Sequence, residues 1–304
     1  MINRYSYKDI TWIDLEAPTR EEVLKVATEY NIDSKIAEDL LTPSLKARVE
    51  VYPEFLCLTL HFPALKHSHK MGTDQEIDFI IGKKFMITTR YDAMDPIHEF
   101  SKIFEVNSIL EKSSLGKHSG FVFFYMITHI YHALTHELNF IRDSLRDIEE
   151  KIFSGKEKEM VLALSKVSRN LLDFKRATDL HKEILQSLHT AGVDFFGQEF
   201  APNMRLILSE YYKIENGAKN NLDFLRELRD TNNVLVSTKQ NEIMKTLTGI
   251  ALIAVPVSLI SALFQIDAVS RPIIGKPNDF WIILSVMGAT VLLMYAYFKH
   301  KKWL

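Results

Sequence analysis

The sequence predicts an α+β cytoplasmic domain that continues into a long helical stalk and ends in two transmembrane α-helices. Three observations predict it. Two uncharged apolar runs, Thr246–Ile266 and Phe280–Phe298, stand near the C-terminus. Within the first hundred residues, short runs of alternating apolar character are separated by turn signals. Beyond about Ser101 glycine and proline become scarce, and apolar residues recur at three- and four-residue steps through roughly Thr190.

The elements follow in order. Thr11–Leu15 (TWIDL) reads as a short strand, after which Pro18 and Thr19 open an amphipathic helix over PTREEVLKVATEY. Arg48–Phe62 (RVEVYPEFLCLTLHF) reads as one or two strands, with Val49, Val51, Phe55, Leu56, Leu58 and Leu60 as buried positions. Glu76–Arg90 (EIDFIIGKKFMITTR) reads as a hairpin turning at Gly82-Lys83. These pieces form an α/β domain over residues 1–100, followed by a long-helix region over 101–202. In that region Phe121–Phe153 is strongly periodic.

Asn203–Lys245 carries the same period and reaches the first apolar run with no proline or glycine after Gly217. Residues 203–266 therefore read as one stalk helix whose membrane part is about 246–266. A helix of roughly 60 residues is about 90 Å long and runs far beyond a bilayer. Alone it cannot bury its apolar stripe, so it is expected to pack against sister helices in an oligomer.

A bilayer core about 30 Å thick needs roughly 20 apolar residues, and both C-terminal runs meet that length. Pro256 lies inside the first, where membrane helices tolerate it better than soluble ones do. The loop 267–279 carries Asp267, Arg271, Lys276 and Asp279, which balance to zero. Lys245 precedes the first span, the second covers 280–298, and Lys299, His300, Lys301 and Lys302 open the basic tail 299–304. The excess of positive charge places both termini in the cytoplasm, with Trp281 and Trp303 near opposite interfaces.

Composition narrows the function. The chain has 304 residues, 25% charged, with a formal net charge of -2, so it offers no electrostatic case for nucleic acid. A single cysteine, Cys57, rules out an internal disulfide and fits a reducing compartment. The N-terminus has no apolar core of a cleaved signal. No nucleophile elbow, phosphate loop, cysteine-rich zinc motif or dinucleotide glycine pattern is present, so an enzyme reading has no residues to rest on.

The pieces in this order resemble the CorA family of divalent metal ion transporters, including its magnesium transporters and zinc-transporting relatives. TWIDLEAPTREE is similar to the family's N-terminal strand and helix, and KARVEVYPEFLCLTL to its R-x-E-x-Y strand region. NEIMKTLTGIALIAVPVSLISALF (Asn241–Phe264) resembles the N-E-x-M-K-x-L-T start of the family's first membrane helix, and YFKHKKWL its basic tail. The resemblance implies a funnel-shaped homopentamer in a bacterial plasma (inner) membrane. No cofactor is implied; the partners are the bilayer, sister subunits and transported metal cations, with Mg²⁺ the default. Five first helices would line a central pore with Asn241, Met244, Thr248, Ala251, Val255, Ser258 and Ala262. Apolar rings can gate by dewetting and hydroxyls can hydrogen-bond a hydrated ion. Small residues at Ala251, Ser258 and Ala262 equally serve helix packing.

The chain departs from the family where it matters for selectivity. The signature Gly-Met-Asn, usually after tyrosine, is replaced by Gln265, Ile266 and Asp267 after Phe264. Mg²⁺ dehydrates reluctantly, so neutral amides suit its water shell. A ring of Asp267 carboxylates would bind cations by charge and discriminate less by geometry. Asp267 is thus a candidate metal-binding residue; pairing with Arg271 at a helix end is its structural alternative. Selectivity for Zn²⁺ or Co²⁺, less selective passage, export, and a non-conducting scaffold or sensor all stay open. The stalk carboxylate that helps hold family magnesium channels shut corresponds to Leu206, with Glu210 nearest, which puts a magnesium sensor of that type in doubt.

Two histidine groups remain. His129, His132 and His136 lie three and four residues apart on one helix face, a spacing that could ligate Zn²⁺ or simply belong to a solvated helix. His61, His67 and His69 read as surface residues around a hairpin tip. Arg142, Asp143, Arg146, Asp147, Glu149 and Glu150 read as a solvated face laced with ion pairs.

Overall fold

A computed structural model describes the chain except residues 45–46, 65–73, 110–115, 267–272, 276 and 302–304. It divides into two units, Met1–Leu228 and Arg229–Leu304. The first unit opens with β1 (Ile2–Tyr7), β2 (Ile10–Glu16), α1 (Arg20–Glu29) and α2 (Ser34–Asp39). Strands β3 (Arg48–Val51), β4 (Phe55–Phe62), β5 (Gln75–Gly82) and β6 (Phe85–Arg90) follow. They form one six-stranded sheet in the order β1-β2-β6-β5-β4-β3. The β2–β6 pair is parallel and the other four pairs are antiparallel.

Helices cover both faces, which explains why β4 is apolar at nearly every position instead of alternating. On one face α1 and α2 bring Val23, Val26 and Ile36 onto Ile13, Leu15, Ile80 and Ile87. Helix α1 starts as its sequence predicts: the Thr19 hydroxyl accepts from the Glu22 amide, and the Glu22 carboxylate accepts from the Thr19 amide. Leu56, Leu58 and Leu60 are buried as expected, but Val51 is 62% exposed and Val49 only half-buried. Strand β3 is the sheet's edge, so its side chains have neighbours on fewer sides.

The other face carries α3 (Asp95–Ile109), α4 (Ser119–Phe153), α5 (Glu157–Thr178) and α6 (His181–Phe196). Aromatic rings join these helices to the sheet. Trp12 packs on Phe100 and Phe104 at centroid distances of 5.5 and 5.7 Å, and Phe79 meets Phe123 edge-on at 5.3 Å. Beneath them the Trp12 Nε1–H donates to Thr88 Oγ1, and the Thr88 hydroxyl donates to Asp14 Oδ1. Arg90 Nη2 donates to Asp14 Oδ2 at 3.0 Å and to Glu16 Oε2 at 2.8 Å, completing a polar network inside an apolar layer.

The β5–β6 turn is Lys83–Lys84, one residue beyond its predicted position, with the Phe85 ring lying where a side chain at Gly82 would be. The predicted helical region contains breaks at Ser154–Lys156 and Asp179–Leu180. After α6, Gly197 at φ +99° turns the chain into a single 3₁₀ turn, Gln198–Phe200. Helix α7 (Ala201–Phe264) then runs for 64 residues, close to the length predicted for the stalk. Within the first unit its buried stripe is Met204, Ile207, Tyr211, Ile214 and Ala218, spaced by three and four. The second unit holds the remainder of α7 and helix α8 (Asp279–His300). Both α7 and α8 contain stretches long and apolar enough to cross a membrane.

Candidate functional site

The candidate ion path lies on the C-terminal part of α7. Asn241, Met244, Thr248, Ala251, Val255, Ser258 and Ala262 follow one another at alternating three- and four-residue steps. Gln265 continues the row just past the helix end. At about 100° per residue these steps stay within one narrow face. Every residue of the row is exposed, Met244 to 58% and Val255 to 66%. The opposite arc differs: Gly249 is buried, and Ile253, Pro256, Ile260 and Phe264 are half-covered. One flank of the row forms a shallow groove of about 400 Å³, where Thr248, Ala251, Leu252, Val255 and Pro256 meet Met294 of α8.

The polar members of this region have defined roles. The Ser258 hydroxyl donates to the Ala254 carbonyl at 2.9 Å, leaving its exposed oxygen as an acceptor. A hydrated cation presents water hydrogens outward, which an acceptor suits. Pro256 has no N–H, so the Leu252 carbonyl loses the donor that would have met it in the ladder. At the C-terminal end of α7 the Gln265 amide N–H donates to the Ala262 carbonyl at 3.1 Å and that of Ile266 to Leu263 at 3.4 Å, tightening the last turn. The Gln265 side-chain amide donates to Ser261 Oγ at 3.5 Å, and Ile266 is 57% exposed.

Asp267 and Arg271 lie outside the described residues, as do His67, His69 and Trp303. Asp279, which the sequence reading treated only as loop charge, organises the return into α8. Its carboxylate accepts from the Gly275 amide at 3.0 Å and from the Phe280 amide at 2.7 Å. Gly275 at φ +91° and Asn278 at φ +75° permit that tight turn. Asp followed directly by an apolar run is the sequence signal that could have marked it.

Among the described residues no group of three or more histidine, cysteine or acidic side chains is arranged to hold a metal. The histidine series on α4 shows why. His129 and His136 are seven residues apart, about 10 Å along the axis, so they cannot reach one ion together. His129 Nε2 lies 3.4 Å from Glu99 Oε2, whereas His132 and His136 are exposed. On the stalk Leu206 is 52% exposed, and the Glu210 carboxylate is held by Lys213 at 2.7 Å. The charged face of α4 is solvated, with Lys151 on Asp147 at 2.6 Å and Arg146 at 4.0 Å from Asp143.

His61 is not the surface residue its sequence position suggested; its side chain is 19% exposed. Its Nε2 lies 2.9 Å from the Ser44 carbonyl and 3.0 Å from Glu76 Oε2, two acceptors, so it carries the hydrogen. The Glu76 contact raises the imidazole's pKa, with burial opposing. Two residues along the same face of β5, burial pushes Asp78 up to about 6 although Thr59 and Tyr91 donate to it. The His61 backbone carbonyl accepts from Nε2–H of His181, which fixes that tautomer, and His181 Nδ1 accepts from the Tyr131 hydroxyl at 3.0 Å. Burial lowers His181 to about 4 and keeps it neutral.

Comparison with known proteins places this architecture. A model of the family described as CorA-like Mg²⁺ transporter protein matches residues 7–300. The cobalt/magnesium transport protein CorA of Thermotoga maritima is 26% identical over 299 residues, covering 97% of this chain and 83% of the relative. The complete structure of the CorA magnesium transporter from Methanocaldococcus jannaschii superposes with a TM-score of 0.85 at 18% identity, covering 99% of this chain and 94% of that one. The ZntB cytoplasmic domain from Vibrio parahaemolyticus gives a TM-score of 0.62 at 12% identity over 76% of this chain and 89% of its own.

Proposed function

The chain belongs to the CorA-like Mg²⁺ transporter family, and from that premise we propose that it passes divalent cations across the plasma membrane as a homopentamer. Mg²⁺ is the default ion. The observation that carries this reading is the uncovered row from Asn241 to Ala262 on a helix apolar enough to span a bilayer. Five copies of α7 would bring five such rows around one axis, with α8 as an outer brace. Both termini would be cytoplasmic and residues 267–279 outside.

Ions would gather at an Asp267 ring, pass the Ser258 and Thr248 levels with their water, and cross the apolar Val255 and Met244 levels. An inside-negative membrane potential contributes about 2.3 kcal/mol per charge per 100 mV, so a divalent cation needs no chemical energy source to enter. The second reading is altered selectivity, including Zn²⁺ or Co²⁺ passage or export. Gln265, Ile266 and Asp267 favour it, because they replace neutral amide chemistry by a carboxylate.

The test is ion-resolved uptake into liposomes holding the purified full-length protein. Uptake of Mg²⁺ above empty vesicles supports the first reading; uptake of Zn²⁺, Co²⁺ or Ni²⁺ in its place supports the second. If none of the four ions enters, the chain is a non-conducting scaffold and the transport reading falls. Asp267→Ala should weaken uptake, and an unchanged rate would remove Asp267 from the mechanism.

A further inference from the structure

We propose that the contact of His61 with Glu76 and Ser44 is a proton-operated latch. It holds the chain that follows α2, at Ser44, against the sheet in mild acid and loosens as the pH rises. The inference rests on the fold of the first unit and is independent of which ion is transported.

The geometry is a closed junction of three residues. Glu76 uses both carboxylate oxygens: Oε1 accepts from the Ser44 amide at 2.9 Å and Oε2 faces His61 Nε2 at 3.0 Å. His61 Nε2–H is shared with the Ser44 carbonyl at 2.9 Å. Ser44 is therefore held through both its amide and its carbonyl by side chains of two neighbouring strands. His61 and Glu76 are directly opposite in the β4–β5 ladder, so the strands cannot slip without breaking the junction. A protonated imidazole makes the contact with Glu76 an ion pair; a neutral one keeps the hydrogen bond to the carboxylate but loses the opposite charge.

The charges around the junction favour the protonated form. On the β5 side stand Asp74, Glu76 and Asp78; after β6 come Tyr91 and Asp92. Arg176 of α5 is engaged by Asp74 at 3.5 Å, and Arg48 of β3 by Asp39 of α2 at 2.7 Å. Arg90 donates to the Asp92 carbonyl at 3.3 Å, and His181 of α6 stays neutral. A cavity of about 500 Å³ bounded by Pro43, Ser44, His61, Asp92 and Arg176 gives solvent protons access. Since His61 is raised above its ordinary value, the latch is fully engaged below about 6.5 and is lost as the pH climbs through the raised value.

Hydrogen–deuterium exchange of the full-length protein in detergent tests this. The quantity read is the protection of a peptide spanning Leu40–Ser44, corrected for the intrinsic pH dependence of exchange. The expected result is a loss of about threefold or more in protection between pH 6 and 8.5. His61→Gln keeps a neutral donor at every pH and should make protection independent of pH. Asp74→Asn removes a rim carboxylate that raises His61, so the midpoint should move to lower pH without disturbing the junction itself. A flat wild-type profile, the same profile in His61→Gln, or an unmoved midpoint in Asp74→Asn each overturns the proposal.

Discussion

Arg90 Nη2 lies 3.0 Å from Asp14 Oδ2 inside the sheet, and the two side chains are only 5 and 3% exposed. Nothing in water competes for this pair, and removing one partner leaves the other charged and dry. Arg90→Met should therefore destabilise the protein by about 3–5 kcal/mol. Asp14→Leu combined with Arg90→Met should recover much of that loss. Thermal unfolding of the wild type, the single variant and the double variant measures both effects.

Asp78 makes stability fall as pH rises. Its pKa in the folded protein is about 6 against 3.8 ordinarily, so folding favours the protonated carboxyl. The penalty is absent below about 3.8, grows through about 6 and is constant above; a two-unit shift corresponds to about 3 kcal/mol. Asp78→Asn should flatten the unfolding profile between pH 4 and 6.5. A profile as steep as the wild type's would show that another group titrates there.

Gly197 adopts φ +99° and ψ 164° with open space where a β-carbon would go. Gly197→Ala is thus a test of backbone conformation without a clash. It should cost about 1–3 kcal/mol, read as a lowered melting temperature. If the junction between α6 and α7 relaxes to another conformation, the cost should vanish.

Val255 is the exposed apolar level of the proposed path. Val255→Asn should wet that level and raise Mg²⁺ uptake into liposomes severalfold, whereas Val255→Phe should narrow it and cut uptake about tenfold or more. Equal rates in both variants would move the path away from this face.

Much of the architecture was legible because it rests on long-range periodicity. The uncharged runs and the glycine-free approach to them led directly to α7 and α8, while the row from Asn241 to Ala262 came from the family resemblance and only its common face from the three–four spacing. Strand β1 was missed because INRYSY carries little apolar signal; it is an edge strand paired with β2 alone. The His61–Glu76 contact could not be read either, since the residues are 15 apart and meet only when β4 and β5 align. The histidines of α4 lie on the single helix in which their spacing was read. The seven-residue spacing that gives His129 and His136 a common face also sets them about 10 Å apart along the axis.

The parallel β2–β6 pair has a kinetic meaning. Strand β2 registers with β6 from Thr11 opposite Phe85 to Glu16 opposite Arg90, while β1 and β2 are joined by a short turn. The β1–β2 hairpin can form early, yet its inner edge stays unpaired until some seventy residues later in the chain have arrived. Closing a loop of that size is a slow, non-local event. Until then the open edge is a template for other chains. Docking of β6 therefore closes the inner edge of β2, and Arg90, arriving with that strand, fastens it to Asp14.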